Sequence, residues 1–149
     1  MALQMQRALI DGDRFETIRY PDDEIRLRAV EQGEVQVVEY TSTDREGPPP
    51  HSHEWDEVEY VIEGTAEFFL DGAWHPAGPG SVQLLPAGSA HSVRIPKGEA
   101  RLLMVTVGAP YDGFARAIAA LTTSGEATPA AVVETSARYG VRLGGDGAT

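Results

Sequence analysis

The stretch Gly47-Pro48-Pro49-Pro50-His51-Ser52-His53-Glu54-Trp55-Asp56-Glu57-Val58-Glu59-Tyr60-Val61-Ile62 combines a backbone constraint with a set of chemically active side chains. Three consecutive prolines lack amide donors and favour a stiff, extended chain, so they are excluded from a central strand and act as a rigid lead-in to His51. His51, His53 and Glu57 share one parity, and in an extended strand such side chains project to one face, where two imidazoles can reach a common ion.

A His-x-His pair alone is common on protein surfaces. It gains weight from a second segment, Gly80-x5-Pro86-x-Gly88-x2-His91, in which a Pro/Gly turn delivers another histidine into a new strand. The sequence contains no cysteine, which excludes disulfides and thiolate sites and leaves imidazole and carboxylate as metal donors. The expected ligands are His51, His53, Glu57 and His91, around one divalent transition metal ion: Fe, Mn, Ni, Cu or Zn. Three neutral imidazoles and one carboxylate leave coordination positions open for water, oxygen or substrate, as in a reactive rather than a closed structural site.

Outward from this centre, short β-type runs alternate with Gly, Pro and Asp punctuation from Arg14 to Val107. The expected strands are Arg14–Tyr20, Ile25–Val30, Glu34–Thr41, Val58–Ile62, Ala66–Leu70, Val82–Leu85, His91–Ile95 and Arg101–Val107. Asp71-Gly72 marks a hairpin turn. Evenly spaced strands of this kind predict an all-β sandwich or barrel with every second residue inward.

After Val107 the period changes. Tyr111, Phe114, Ala115, Ile118 and Leu121 recur at helical spacing, and Thr128-Pro129 reads as an N-cap followed by a first-turn proline. Two short C-terminal helices are expected, packed outside the barrel or over one mouth, within an extension of about 110–140. The glycine-rich 144–149 tail is expected to fray. Residues 1–149 are read as one domain with its barrel core at about 34–107.

The two histidine segments resemble the cupin superfamily: Gly47-x3-His51-x-His53-x3-Glu57-x6-Gly64 corresponds to its first motif and Gly80-x5-Pro86-x-Gly88-x2-His91 to its second. The resemblance implies a jelly-roll barrel and the same four metal ligands. Here three prolines fill a first-motif interval that is usually longer, and Ile95 stands where an Asn usually closes the second motif, altering hydrogen bonding behind the ligands. The Gly-Pro-Pro-Pro-His entry, Trp55-Asp56-Glu57 and the Gly108–Phe114 segment are similar to small single-domain cupins described as quercetin-dioxygenase-like, which implies oxygen-dependent cleavage of an aromatic or enol substrate.

Glu59 shares the parity of Glu57 and points into the barrel if the strand is regular, where such relatives carry an apolar residue. A bulge would instead turn it to solvent. Inside, it would serve as a general acid/base or as a hydrogen-bond anchor for substrate, so Glu57 and Glu59 are the expected catalytic residues. Val61 and Phe69 are expected to wall an apolar cavity, with Gln83 or Met104 joining according to register. His75 reads as exposed, Trp55 as a structural or rim residue, and Arg94 as an outer-face ion pair. Tyr111 and Phe114 read as helix-to-barrel packing, or as part of a lid.

Twelve basic and 23 acidic side chains give a net charge of −11, which repels phosphate backbones and anionic lipid surfaces. Nucleic acid and membrane are therefore not expected as partners. With no long apolar run or leader pattern, a soluble, cytoplasmic protein is expected. By the resemblance, and because open sheet edges invite pairing, a homodimer is expected. The first functional expectation is a metal-dependent dioxygenase acting on a small organic molecule. The alternatives are a non-oxidative metal-dependent isomerase, cyclase, lyase or decarboxylase, and a small-molecule-binding cupin without turnover.

Overall fold

The computed structural model describes residues 3–144. Its strands are β1 (Glu16–Arg19), β2 (Asp23–Ala29), β3 (Val35–Ser42), β4 (His51–His53), β5 (Asp56–Glu63), β6 (Ala66–Leu70), β7 (Ala73–Ala77), β8 (Val82–Leu85), β9 (Ser92–Arg94), β10 (Ala100–Val107) and β11 (Val141–Leu143). Between β10 and β11 lie the helices α1 (Tyr111–Ser124) and α2 (Pro129–Arg138). The all-β expectation with two C-terminal helices holds. Of the expected 144–149 tail, all but Gly144 lies outside the described residues.

All strand pairs are antiparallel. One sheet has the order β1-β2-β3-β10-β5-β8; a second has β7-β6-β9, and β11 pairs with β4. A His51–His91 bridge joins the last two groups into one opposing layer. Both layers contribute to a common core, with Val38, Val61, Leu102 and Met104 from the large sheet and Ala66, Phe68 and Ala77 from β6 and β7.

Local sequence explains the elements. β3 and β10 alternate strictly between buried and half-buried positions, as a sheet covered on one face requires. The hairpin between β6 and β7 turns on Asp71 and Gly72, at φ 52° and 79°, the pair of left-handed residues a two-residue turn demands. β7 tolerates Pro76 because it is an edge strand. In α2, the Thr128 hydroxyl caps the helix by accepting from the Ala131 amide at 3.1 Å.

The two glycines of the first motif have physical duties. Gly47 and Gly64 take φ of 74° and 80°, and a side chain on either would collide with the backbone of Val93 or of Glu99 and Ala100. These close approaches lock the loop that enters β4 and the end of β5.

Leu102 is fully buried on β10, opposite Tyr40 on one side and Val61 on the other. Leu102→Ala is therefore expected to cost about 2–5 kcal/mol, the usual range for a buried leucine truncated to a cavity. Urea unfolding of the two proteins measures it, and a loss below about 1 kcal/mol would mean that the two layers do not share a rigid core.

Phe69 does not wall the cavity, contrary to the sequence expectation. It lies on β6 beside Trp74 of β7, with ring centroids 5.3 Å apart, because the inward parity of β6 falls on Ala66 and Phe68. Val61 does point inward but is consumed by the core.

Candidate metal centre

β4 carries His51 and His53 between two partners. On one side β11 pairs Val141 with His53 and Leu143 with His51. On the other, His51 and His91 exchange both backbone hydrogen bonds, at 3.0 and 2.9 Å, and the Gly88 amide donates to the His53 carbonyl at 2.7 Å. The Pro86–Gly88 turn and the proline lead-in thus fix two remote histidine segments side by side. Glu57 enters from the start of β5, one turn of chain later.

His53, Glu57 and His91 are all buried, and their donor atoms lie within 4.8 Å of one another. His53 Nε2 stands 3.6 Å from Glu57 Oε1, and His91 Nε2 stands 3.4 Å from Glu57 Oε2. His51 borders this group, its ring centroid 4.4 Å from that of His91 and 6.3 Å from that of His53.

The tautomers are fixed from behind. Nδ1 of His51, His53 and His91 each meets a backbone carbonyl, of Pro49, Trp55 and Ser89, at 3.0, 3.0 and 2.9 Å. A carbonyl only accepts, so each Nδ1 carries a proton, and in the neutral ring Nε2 presents its lone pair. Nε2 of His53 and His91 is buried without a hydrogen-bond partner. Donor atoms about 2.1 Å from one ion stand roughly 3.0–3.5 Å apart at octahedral to tetrahedral angles, close to the separations here. The residues therefore fit a divalent ion in donor type, tautomer and spacing.

Electrostatics agree with that fit. Burial and the neighbouring His91 lower the His51 pKa to about 4, leaving a neutral imidazole at pH 7. Burial works against the charge of Glu57, but the His53 and His91 rings facing its carboxylate oxygens at 3.6 and 3.4 Å outweigh it and hold the carboxyl well below its usual range. Burial also opposes charging of His91, and Glu57 reverses that, raising its pKa. A carboxylate kept ionised against burial by facing imidazoles is a group arranged to meet positive charge.

Glu59 points inward and is 4% exposed. β5 stays in register with β10 and β8 from Asp56 to Tyr60, and its irregularity falls beyond Val61, so no bulge turns Glu59 to solvent. Tyr40 Oη donates to Glu59 Oε1 at 3.1 Å, and Gln83 Nε2 donates to Oε2 at 3.0 Å. Burial first, and the charge of Glu57 second, raise the Glu59 pKa well above the ordinary carboxylate range.

A cavity of about 360 Å³ opens onto these groups. His51, His53, Glu57, Glu59 and His91 line it together with Met104, Trp55, Tyr111 and Phe114. Trp55 is structural as expected: it is buried and stacks on His53, with centroids 4.1 Å apart and an interplanar angle of 5°. Tyr111 and Phe114 do both jobs considered for them, packing α1 against Trp55 and walling the cavity. Gln83 reaches the cavity only through Glu59. Ile95 is buried in the core and places no polar group behind the histidines.

Residues 38–107 match the family model described as the cupin domain. The fold is a cupin barrel. An RmlC-like cupin from Shewanella frigidimarina superposes with TM-score 0.64 and 19% identity, over 74% of this chain and 99% of that one. The polyketide cyclase RemF from Streptomyces resistomycificus gives TM-score 0.59 and 21% identity, over 68% and 80%. A Streptomyces PAC13 variant with uridine gives 0.57 and 14%, over 70% and 84%; PAC13 is described as a nucleoside dehydratase. No curated protein matches the chain in sequence.

Two side residues of the cupin barrel behave as expected. His75 is exposed on β7. Arg94 pairs with Glu67 at 2.9 Å and lies 4.1 Å over the Trp74 ring on the outer face. Tyr40, Asp23 and Tyr20 were not singled out by sequence, although all three line the cavity. Alternation marks Tyr40 as inward, but only register shows that it meets Glu59. Among the described residues, no helix is long and apolar enough to cross a membrane.

Proposed function

We propose that this chain is a metal-dependent enzyme that moves a proton on a small organic molecule without consuming oxygen, in the class of isomerases, cyclases, lyases and dehydratases. The observation that carries this reading is the Glu59 carboxyl, held inside the cavity beside the His53–Glu57–His91 group by Tyr40 and Gln83. His51, His53, Glu57 and His91 would hold one divalent ion. When bound, that ion supplies Lewis acidity, which lowers the pKa of a substrate oxygen.

The protein's own groups do the rest. Glu59 takes a proton from a carbon next to a carbonyl, or from a hydroxyl, and returns it elsewhere; the electron pair left behind is carried on the substrate oxygen, as an enolate in the first case and an alkoxide in the second. Tyr40 and Gln83 keep the carboxyl aimed, and burial raises its proton affinity towards that of a working base near neutral pH. Trp55, Met104 and Phe114 exclude water from the reacting face. The RemF and PAC13 likenesses are consistent with non-oxidative chemistry on this fold.

A second reading, a quercetinase-like dioxygenase, is favoured by the donor set itself, since imidazole and carboxylate also suit redox-active iron, manganese, nickel and copper. The two readings separate cleanly. Metal-loaded protein, incubated anaerobically in D2O with 2-acetylnaphthalene, is expected to place deuterium on the methyl carbon, and Glu59→Gln to lose that exchange. Exchange that is absent while oxygen is consumed with flavonols would establish the dioxygenase; neither activity would leave a binding module.

A further inference from the structure

The cavity contains more information about its occupant than the metal group does. Among the described residues, no lysine or arginine contributes to its wall, and its cationic candidates are the three histidines already assigned to the metal group. Carboxylates, in contrast, recur: beyond Glu57 and Glu59, the wall includes Asp22, Asp23 and Asp44. Even with one divalent ion bound, Glu57 and these three aspartates outnumber its charge. The whole chain, at −11, adds a field of the same sign.

Asp23 is the informative member. It is half-buried at the start of β2, opposite Ser42 of β3. Burial raises its pKa, with Asp44 and Asp22 adding to the rise, and among the described residues no cation forms an ion pair with it. A ligand that supplies a positive or hydrogen-donating edge would supply what the protein does not.

Tyr111 lines the cavity and stands close enough to Glu57, Glu59 and Asp23 to be influenced by all three charges. The Tyr20 hydroxyl donates to the Ala115 carbonyl and the Tyr40 hydroxyl to Glu59, whereas the Tyr111 hydroxyl has no partner among the described residues. An unpartnered phenol in a mostly apolar cavity is a hydrogen-bond position offered to a ligand.

We propose that this cavity selects uncharged or cationic ring compounds and rejects anionic ones, with Asp23 setting the charge preference and Tyr111 binding a polar edge of the ring. The proposal deepens the functional reading above by naming its substrate class: neutral carbonyl or hydroxyl compounds on an apolar ring, not phosphorylated or polycarboxylated molecules. Discrimination comes from an unpaired-charge penalty on the wrong ligand as much as from contacts to the right one.

Three naphthalenes of one shape test it by titration calorimetry on the zinc-loaded protein: 2-naphthalenemethanol, 2-naphthylmethylamine and 2-naphthalenesulfonate. The alcohol and the amine are expected to bind at least tenfold tighter than the sulfonate. Asp23→Asn is expected to shrink the amine-to-sulfonate ratio several-fold, and Tyr111→Phe to weaken the alcohol several-fold while leaving the sulfonate unchanged. Circular dichroism confirms that each variant is folded. Sulfonate binding as tightly as the others, no binding by any of the three, or an unchanged ratio in Asp23→Asn would each overturn the proposal. Because no turnover is needed, charge selection without deuterium exchange would refute the enzymatic reading alone, and exchange with tight sulfonate binding would refute this one alone.

Discussion

Replacing His53 with alanine is expected to reduce metal content from about one ion per chain to essentially none, as read by elemental analysis of the purified protein. His53 Nε2 is buried, carries no hydrogen bond and faces Glu57 at 3.6 Å, so its lone pair has no other use in the fold. Loss of a residue that merely orients a ligand already costs about 10–100-fold in affinity, and loss of the ligand itself must exceed that. The variant also gives up the stack on Trp55, so its folding is checked by circular dichroism. Full retention of stoichiometric metal in a folded His53→Ala protein would remove His53, and with it the proposed centre. In the wild type, the identity of the ion bears on the reaction: zinc suits proton transfer, whereas a redox-active metal keeps oxygen chemistry open.

Glu59→Gln is expected to lower turnover by about 10²–10⁴-fold, the usual contribution of a positioned acid or base, with metal stoichiometry unchanged. The substitution preserves shape and still offers an oxygen to Tyr40 or to Gln83, but it cannot carry the proton. It also removes a buried carboxyl whose ionisation burial opposes, so thermal stability is expected to hold or to rise slightly. Turnover within about threefold of wild type would assign Glu59 a positioning role and return the proton transfer to Glu57.

Much of this was legible in the sequence because the physics behind it is local. Strict alternation revealed β3 and β10, the Asp-Gly pair revealed the hairpin, and parity alone placed Glu59 beside Glu57 on the inner face. β4, β7 and β11 were not anticipated as strands. β4 and β11 are three residues each and exist through pairing with each other, and β7 combines exposure with Pro76 in a way that imitates a loop. Phe69 was misplaced because it is partly buried on the outer side by Trp74, which alternation cannot distinguish from a cavity wall. Tyr40, Gln83 and Asp23 act through partners 19 to 24 residues away, at Glu59 and Ser42, and such meetings are fixed by strand register rather than by composition.

The pairing of β11 with β4 has a consequence for how the protein comes into being. Val141 follows His51 by ninety residues, so during synthesis the histidine strand emerges long before the strand that closes its outer edge. The barrel sheets and both histidine segments are complete once Val107 has left the ribosome, but the wall formed by Val141 and Leu143 arrives only after both helices. The outer edge of the histidine strand is thus closed by a segment that follows both helices in the chain, and closure of the candidate site on that side rests on a three-residue strand.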